Sequence, residues 1–247
     1  MRLDLNADLG EGCANDAEIL SLVTSANIAC GFHAGDAETM WRTLERAKKN
    51  GVTVGAHPSF ADRAEFGRRE LPIPPGQLFA ELIYQLGAFA ELARAMGLEP
   101  QHVKPHGALY NLAAREAETA DVVVRSVVSA NPKLILFAPP GSVLARTASE
   151  YQLRVAREVF ADRNYHPDGT LVPRSHPHAL LTDAESAAAR MVSLLTDGSL
   201  PSIDGTPLML EADTVCVHGD SPQAVAFTRT LRAALVTAGV ALRSPAA

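Results

Sequence analysis

The chain has 247 residues, 47% of them hydrophobic and 20% charged, and carries a formal net charge of -6. That length suits one barrel-sized domain and that balance a folded globular protein, so intrinsic disorder is excluded. The negative charge speaks against nucleic acid or an anionic membrane as partner, no stretch approaches the roughly 18 consecutive apolar residues of a membrane span, and Met-Arg-Leu-Asp does not open like a signal peptide, so a cytoplasmic location is expected.

The first predicted strand, about 3–8, runs into D-L-N-A-D-L-G-E at 4–11. Side chains two apart share a face of a strand, so Asp4, Asn6 and Asp8 point one way and Leu3, Leu5 and Ala7 the other. A second strand, about 26–31, leads into N-I-A-C-G-F-H-A-G-D at 27–36, with Asn27, Ala29, Gly31 and His33 opposite Ile28, Cys30 and Phe32. Asp36 caps a helix through Met40, Leu44 and Ala47 that stops near Gly51. The third strand, about 52–57, ends in G-A-H-P-S at 55–59 and sets Thr53, Gly55 and His57 on one face. A long connection, 58–76, precedes a helix opened by Pro74-Pro75 and closed near Gly97. The fourth strand, about 101–105, puts His102, Lys104 and His106 together within and around K-P-H-G-A-L-Y at 104–110.

A helix at about 111–130, a strand at 134–138 and a helix at 141–150 follow. The sixth strand, about 154–159, groups Arg154, Ala156 and Glu158 and enters E-V-F-A-D-R at 158–163. After a second long connection, 160–182, come a helix at 183–197 capped by Asp183, a seventh strand at 213–218 ending in V-C-V-H-G-D at 215–220, and a helix at 222–238. Cys216 and His218 share a face there, with Asp220 just past the strand. Cys13, Cys30 and Cys216 are an odd set without C-x-x-C spacing, which fits reduced thiols.

Strand followed by helix, repeated, gives parallel pairing with right-handed crossovers. Seven strands predict a distorted (β/α)7 TIM-like barrel over a single domain, 1–247, with an open doubly wound sheet as the alternative. The polar motifs fall where strands give way to helices, which is the rim where barrel enzymes place their chemistry. A barrel ordinarily fills its interior with Val, Ile and Leu, so a polar inner face calls for a buried polar site. The two long connections lie on the same rim and read as lids or binding loops.

His33, His57, His106 and His218 each end a different strand, and titratable groups gathered in one cleft are how catalytic pKa values arise. His102, His166, His176 and His178 read as structural or surface residues. Rim carboxylates are Asp8, Glu11, Asp36, Glu158, Asp162 and Asp220; capping accounts fully for Asp36, and Asp8 is the leading general-base or metal-ligand candidate. Lys104 and Glu158 read either as a buried ion pair or as a proton shuttle and anion contact. Arg63 and Arg163 come from the long connections and suit a carboxylate or phosphate. Asp8, His33 and His57 form a conceivable divalent-metal set from three strands. Neither G-x-x-x-x-G-K-[ST] nor a strand-terminal G-x-G-x-x-G occurs, and the Pro139-Pro140-Gly141-Ser142 turn is where a helix N-terminus could hold phosphate.

Taken together, D-L-N-A-D-L-G-E, S-A-N-I-A-C-G-F-H-A-G-D, G-A-H-P-S-F-A-D-R, V-K-P-H-G-A-L-Y, E-V-F-A-D-R, L-V-P-R and V-C-V-H-G-D resemble the LamB/YcsF family, from Asp4 to about Asp220 and in matching order. The resemblance implies a (β/α)7-type barrel related to glycoside hydrolases and carbohydrate deacetylases. It also implies service as the A component of an ATP-dependent 5-oxoprolinase, beside partner subunits B and C, with 5-oxoproline and ATP as substrates and Mg accompanying the nucleotide. Lactam opening needs a base for water, an acid for the departing nitrogen and cations for anionic oxygens. Asp8 with His57 is the expected base pair, His106 or His218 the acid, and Lys104, Arg63 and Arg163 the anion contacts; Glu158 joins the catalytic group, while Asn6, His33, Asp162 and Asp220 are expected to bind substrate. A metal-dependent deacetylase would use the same rim and carry stoichiometric metal. A non-catalytic lactam- or sugar-binding subunit would bind without turnover.

Overall fold

Alternation within the strands sets the architecture of the computed structural model, which describes residues 1–219 and 222–246. The strands are β1 (Arg2–Leu9), β2 (Ser25–Ala29), β3 (Thr53–His57), β4 (His102–Val103), β5 (Ile135–Ala138), β6 (Arg154–Phe160), a hairpin of β7 (Ser199–Pro201) and β8 (Pro207–Met209), then β9 (Thr214–Val217) and β10 (Ala241–Leu242). Seven of them pair in parallel in the order β1-β2-β3-β4-β5-β6-β9, and β9 returns to β1 through Asp4↔Thr214 and Asn6↔Cys216, closing the barrel. The open sheet is therefore excluded. β6 carries the distortion: its first half, Arg154–Arg157, pairs with β5 and its second half, Glu158–Phe160, with β9. The short β10 extends the N-terminal end of β1.

Outward-facing Leu3, Leu5, Ala7 and Leu9 of β1 are fully buried, as are Ile28 and Val215. They pack beneath helices that include α1 (Asp16–Leu20), α2 (Ala37–Asn50), α3 (Pro75–Ala95), α5 (Ala117–Ala130), α7 (Ala184–Asp197) and α8 (Ala224–Thr237). Removing that apolar surface from water is the main drive to fold, about 25 cal/mol per Å2 buried. The inner face is different. A small apolar cluster of Ile135, Phe137 and Ala156 fills one side, and the rest is polar. Gly55 makes room: a Cβ there would stand 2.2 Å from the His102 ring, which stacks on Phe137 at 4.3 Å between ring centres.

Several boundaries differ from the sequence expectation. The strand expected at 101–105 keeps ladder geometry only at His102–Val103, because Pro105 supplies no N–H and the chain bends into α4 (Gly107–Arg115). The helix expected at 111–130 is two, α4 and α5, separated by Glu116 in an extended conformation (φ -112, ψ 124). Asp36 caps α2 by accepting from the Thr39 N–H at 2.8 Å, as expected. The 160–182 connection is stitched to itself: Tyr165 pairs with Leu171, Arg163 with Leu180, and the Tyr165 hydroxyl accepts from the Phe160 N–H at 2.7 Å, fixing it as a structured element rather than an open flap.

Candidate active site

Inside the barrel the polar residues stack in layers from the N-terminal to the C-terminal ends of the strands. Lowest is Asp4, whose carboxylate accepts from the hydroxyls of Thr24 (2.6 Å), Ser25 (2.7 Å) and Thr214 (2.5 Å). Above it, Asn6 donates to Thr214 Oγ1 (2.6 Å) and Glu158 Oε1 (3.0 Å), and accepts from Asn27 (2.7 Å). Asn27 also donates to Asp8 Oδ1 at 2.8 Å and faces His102 Nε2 at 2.8 Å. The next layer is ionic. Lys104 Nζ lies 2.9 Å from Asp8 Oδ1, 2.9 Å from Glu158 Oε1 and 3.0 Å from Cys216 Sγ.

Burial alone would raise the Asp8 carboxyl, but the charges of His57 and Lys104 outweigh it and hold Asp8 well below the usual carboxylate range. Burial would likewise lower Lys104, and Asp8, Cys216 and Glu158 reverse that, keeping the ammonium charged. Of the two readings of Lys104 and Glu158, the structure forms the buried ion pair, because opposite charge beats desolvation. Burial raises the Cys216 thiol well above its ordinary value, so it meets Lys104 as a thiol.

At the rim, three imidazoles and one carboxylate converge. His57 Nδ1 donates to the Lys104 carbonyl at 2.7 Å and its Nε2 faces His106 Nδ1 at 2.9 Å and Asp8 Oδ2 at 3.3 Å. His106 Nε2 donates to the Phe66 carbonyl at 2.8 Å, and the His106 ring stacks on His33 at 3.8 Å. Glu11 Oε1 stands 3.2 Å from His33 Nε2 and 3.3 Å from His106 Nδ1. Burial lowers His33 to about 2 and, with His33 and His57 nearby, pulls His106 well below the usual histidine range. Glu11 arrives here because Gly10 and Gly35, both at positive φ (71° and 66°), bring two rim loops into contact; a Cβ on Gly35 would lie 2.3 Å from the Gly10 carbonyl oxygen.

The ionic layer with Glu11 and His106 forms the floor of a cleft of about 640 Å3, while His33 and His57 are buried behind it. Asp8, Glu11, Lys104, His106, Glu158 and His218 line it, and Arg68, Arg115, Arg146, Arg163 and Arg174 stand around it. The 139–142 turn forms part of the wall, ahead of α6 (Val143–Glu150), whose first turn is capped by Ser142 accepting from the Ala145 N–H at 3.1 Å. His218 Nδ1 bonds Asp162 Oδ2 at 2.7 Å and its ring lies nearly parallel to Phe160; burial alone would raise the Asp162 carboxyl, but the charge and hydrogen bond of His218 together with Arg174 and Arg163 lower it. Tyr110, whose hydroxyl burial raises well above its ordinary range, also lines this cleft.

The expected catalytic residues Asp8, His57, Lys104, His106, Glu158 and His218 thus gather at the C-terminal ends of the strands. Several expectations fall elsewhere: among those expected to bind substrate, buried His33 and half-buried Asp162 lie outside the cleft lining. Asn6 sits beneath the ionic layer with its amide fully engaged, and so supports the floor rather than lining the cleft. Arg63 donates to the carbonyls of Gly31 (2.7 Å) and Gly35 (2.5 Å), bracing the loop that carries His33. The suggested metal trio does not close, because His33 turns to Glu11 while Asp8 is held by Lys104 and Asn27. Asp220 lies outside the described residues. Glu11 was visible only as one rim carboxylate among six, and Tyr110 only as the last letter of K-P-H-G-A-L-Y. The G-E-G step at 10–12, a turn straight after a polar strand, was the signal that could have singled out Glu11.

The sequence model of the LamB/YcsF family matches residues 3–247. Among solved structures, the lactam utilization protein from Thermus thermophilus is similar over 98% of this chain and 99% of that one, with 42% identity and a TM-score of 0.92. A T48 deacetylase determined with its substrate shares the barrel over 98% of this chain and 86% of its own, at 15% identity and a TM-score of 0.52, a likeness of fold alone. Among the described residues no helix is long and apolar enough to cross a membrane.

Proposed function

The chain belongs to the LamB/YcsF family, and on that premise we propose that it is the lactam-handling component of an ATP-dependent 5-oxoprolinase, acting with two partner subunits. The observation that carries this reading is an ionic floor of Asp8, Lys104 and Glu158 beneath an arginine-rimmed cleft, a setting suited to a small anionic amide. Kinship supplies the substrate class: the Thermus relative is a lactam utilization protein.

A five-membered lactam resists attack by water, and transfer of the ATP γ-phosphoryl group to its carbonyl oxygen, releasing ADP, makes the ring carbon electrophilic. Water then adds to that carbon and yields a proton to Asp8, which stands ionised beside His57. The ring nitrogen takes a proton from His218, held through Nδ1 by Asp162, and the C–N bond breaks to leave a γ-glutamyl phosphate. A second water releases phosphate and glutamate. Lys104 counters charge gathering near Asp8, and Arg163 with its rim neighbours suits the substrate carboxylate and phosphoryl oxygens. Glu158 fixes Lys104, and His106 steadies His57.

Phosphoryl transfer, with Mg accompanying ATP, falls to the partner subunits in this reading, and the barrel receives the lactam or its phosphorylated form. The sequence carries no glycine-rich P-loop, which supports that division. Glutamate release from 5-oxoproline and ATP by the three-subunit mixture tests the reading; acetate release from N-acetylated sugars by this chain alone would instead favour the deacetylase that its fold resembles.

A further inference from the structure

The hydrogen bonds of the rim histidines do not close with neutral rings. A carbonyl oxygen only accepts, so His57 must carry its proton on Nδ1, facing the Lys104 carbonyl, and His106 must carry its proton on Nε2, facing the Phe66 carbonyl. The remaining nitrogens, His57 Nε2 and His106 Nδ1, are then two lone pairs aimed at each other across 2.9 Å. Glu11 Oε1, another lone-pair donor, completes the group at 3.3 Å from His106 Nδ1 and 3.9 Å from His57 Nε2, and His33 Nε2 joins at 3.2 Å from Glu11. A proton on His57 Nε2 would reconcile the 2.9 Å contact alone, whereas a metal ion would reconcile all four converging donors at once.

The spacing identifies the kind of cation. Ligands about 2.0–2.1 Å from a tetrahedral zinc-type ion lie about 3.3 Å from one another. The edges here, 2.9, 3.2, 3.3 and 3.9 Å, scatter about that value, and all four donor atoms lie within 4.8 Å of one another. Three imidazoles with one carboxylate favour a borderline ion such as Zn2+ over Mg2+ or Ca2+, which prefer oxygen. The two backbone carbonyls act as outer partners that fix each ring's tautomer and direction. Phe66 holds its carbonyl there from a left-handed backbone (φ 55°), a conformation that costs energy in a bulky residue and persists where the surroundings demand it.

We propose that Glu11, His33, His57 and His106 form a binding site for one divalent transition-metal ion of the zinc class, at the rim beside Asp8. This goes beyond the lactam reading and does not depend on it. Such an ion would supply a Lewis acid and a water of lowered pKa next to the cleft. With His57 and His106 engaged as ligands, Asp8 and His218 keep the proton-handling positions.

The test uses the full chain, stripped with chelator and dialysed against Co2+ or Zn2+. We expect about one equivalent of metal by elemental analysis, visible d–d bands of intensity typical of four-coordinate Co2+, and a raised Tm. Glu11→Gln, which keeps size and hydrogen bonding, should weaken Co2+ binding at least about 10-fold, and His106→Ala more, each checked by circular dichroism for retained fold. His176→Ala/His178→Ala, which removes an exposed histidine pair outside the proposed site, should leave binding unchanged. Absence of stoichiometric binding at micromolar metal would overturn the proposal and assign the 2.9 Å contact to a shared proton. So would metal that survives in Glu11→Gln and His106→Ala but is lost with the surface pair.

Discussion

Lys104 Nζ sits 2.9 Å from Asp8 Oδ1, a contact that spans the barrel between β4 and β1 with both side chains nearly sealed from solvent. Glu158 grips the same ammonium from β6, so one cation ties three strands together at the level where the cleft begins. The pair positions Asp8 and sets its charge at once. Its loss should therefore be felt both in stability and in chemistry.

Replacing Lys104 with Met leaves Asp8 and Glu158 buried without their common partner. Breaking a buried ion pair from one side costs about 3–5 kcal/mol, so Lys104→Met should lower the urea-unfolding free energy by that amount. A loss under about 1 kcal/mol would show that water already reaches this layer.

Asp8→Asn keeps the shape of the side chain and leaves Lys104 paired with Glu158. Glutamate production by the reconstituted enzyme should fall by about 10²–10⁴-fold with the fold intact by circular dichroism. Retention of a tenth or more of the turnover would remove Asp8 from the role of proton acceptor.

Gly55→Ala places a methyl group 2.2 Å from a His102 ring that is stacked on Phe137 and bonded to Asn27. The ring has nowhere to go, and overpacking of this kind costs about 3 kcal/mol. Thermal unfolding should register the drop, and adding His102→Ala should recover part of it; a single variant as stable as the parent would mean that the interior yields.

Burial pushes the Asp4 carboxyl up to about 6 from 3.8, against the lowering effect of its hydroxyl partners Thr214, Thr24 and Ser25. The folded chain thus keeps this proton to higher pH than the unfolded chain does. The stability it contributes is full below about pH 3.8 and is lost as pH rises through about 6. Asp4→Asn removes the titration, so the stability difference between parent and variant should shrink, to the parent's disadvantage, by about 2–3 kcal/mol from pH 4 to pH 7. A difference constant with pH would contradict the shift.

Much of this was legible in the sequence, for a physical reason. Period-two alternation in D-L-N-A-D and the parity of His102, Lys104 and His106 mark the polar inner face, and the strand count matches closure into a seven-membered barrel. What escaped depended on contacts made far along the chain. Glu11 reaches His33 only because Gly10 and Gly35 touch, Arg63 turns to carbonyls rather than to the cleft, and Lys104 stays charged because three strands deliver its partners. The break between α4 and α5 at Glu116 and the short β7–β8 hairpin carry weak local signals and were missed for that reason.

Whether this barrel opens a lactam ring once partner subunits have activated it with ATP is most directly measured by product release. Glutamate and phosphate formed from 5-oxoproline and MgATP are followed with this chain alone, with the two partner subunits alone, and with all three together. Matched release of both products is expected from the complete mixture, with neither half active without the other. Full ATP-coupled turnover by the isolated chain, or by the partners without it, would contradict that division of labour.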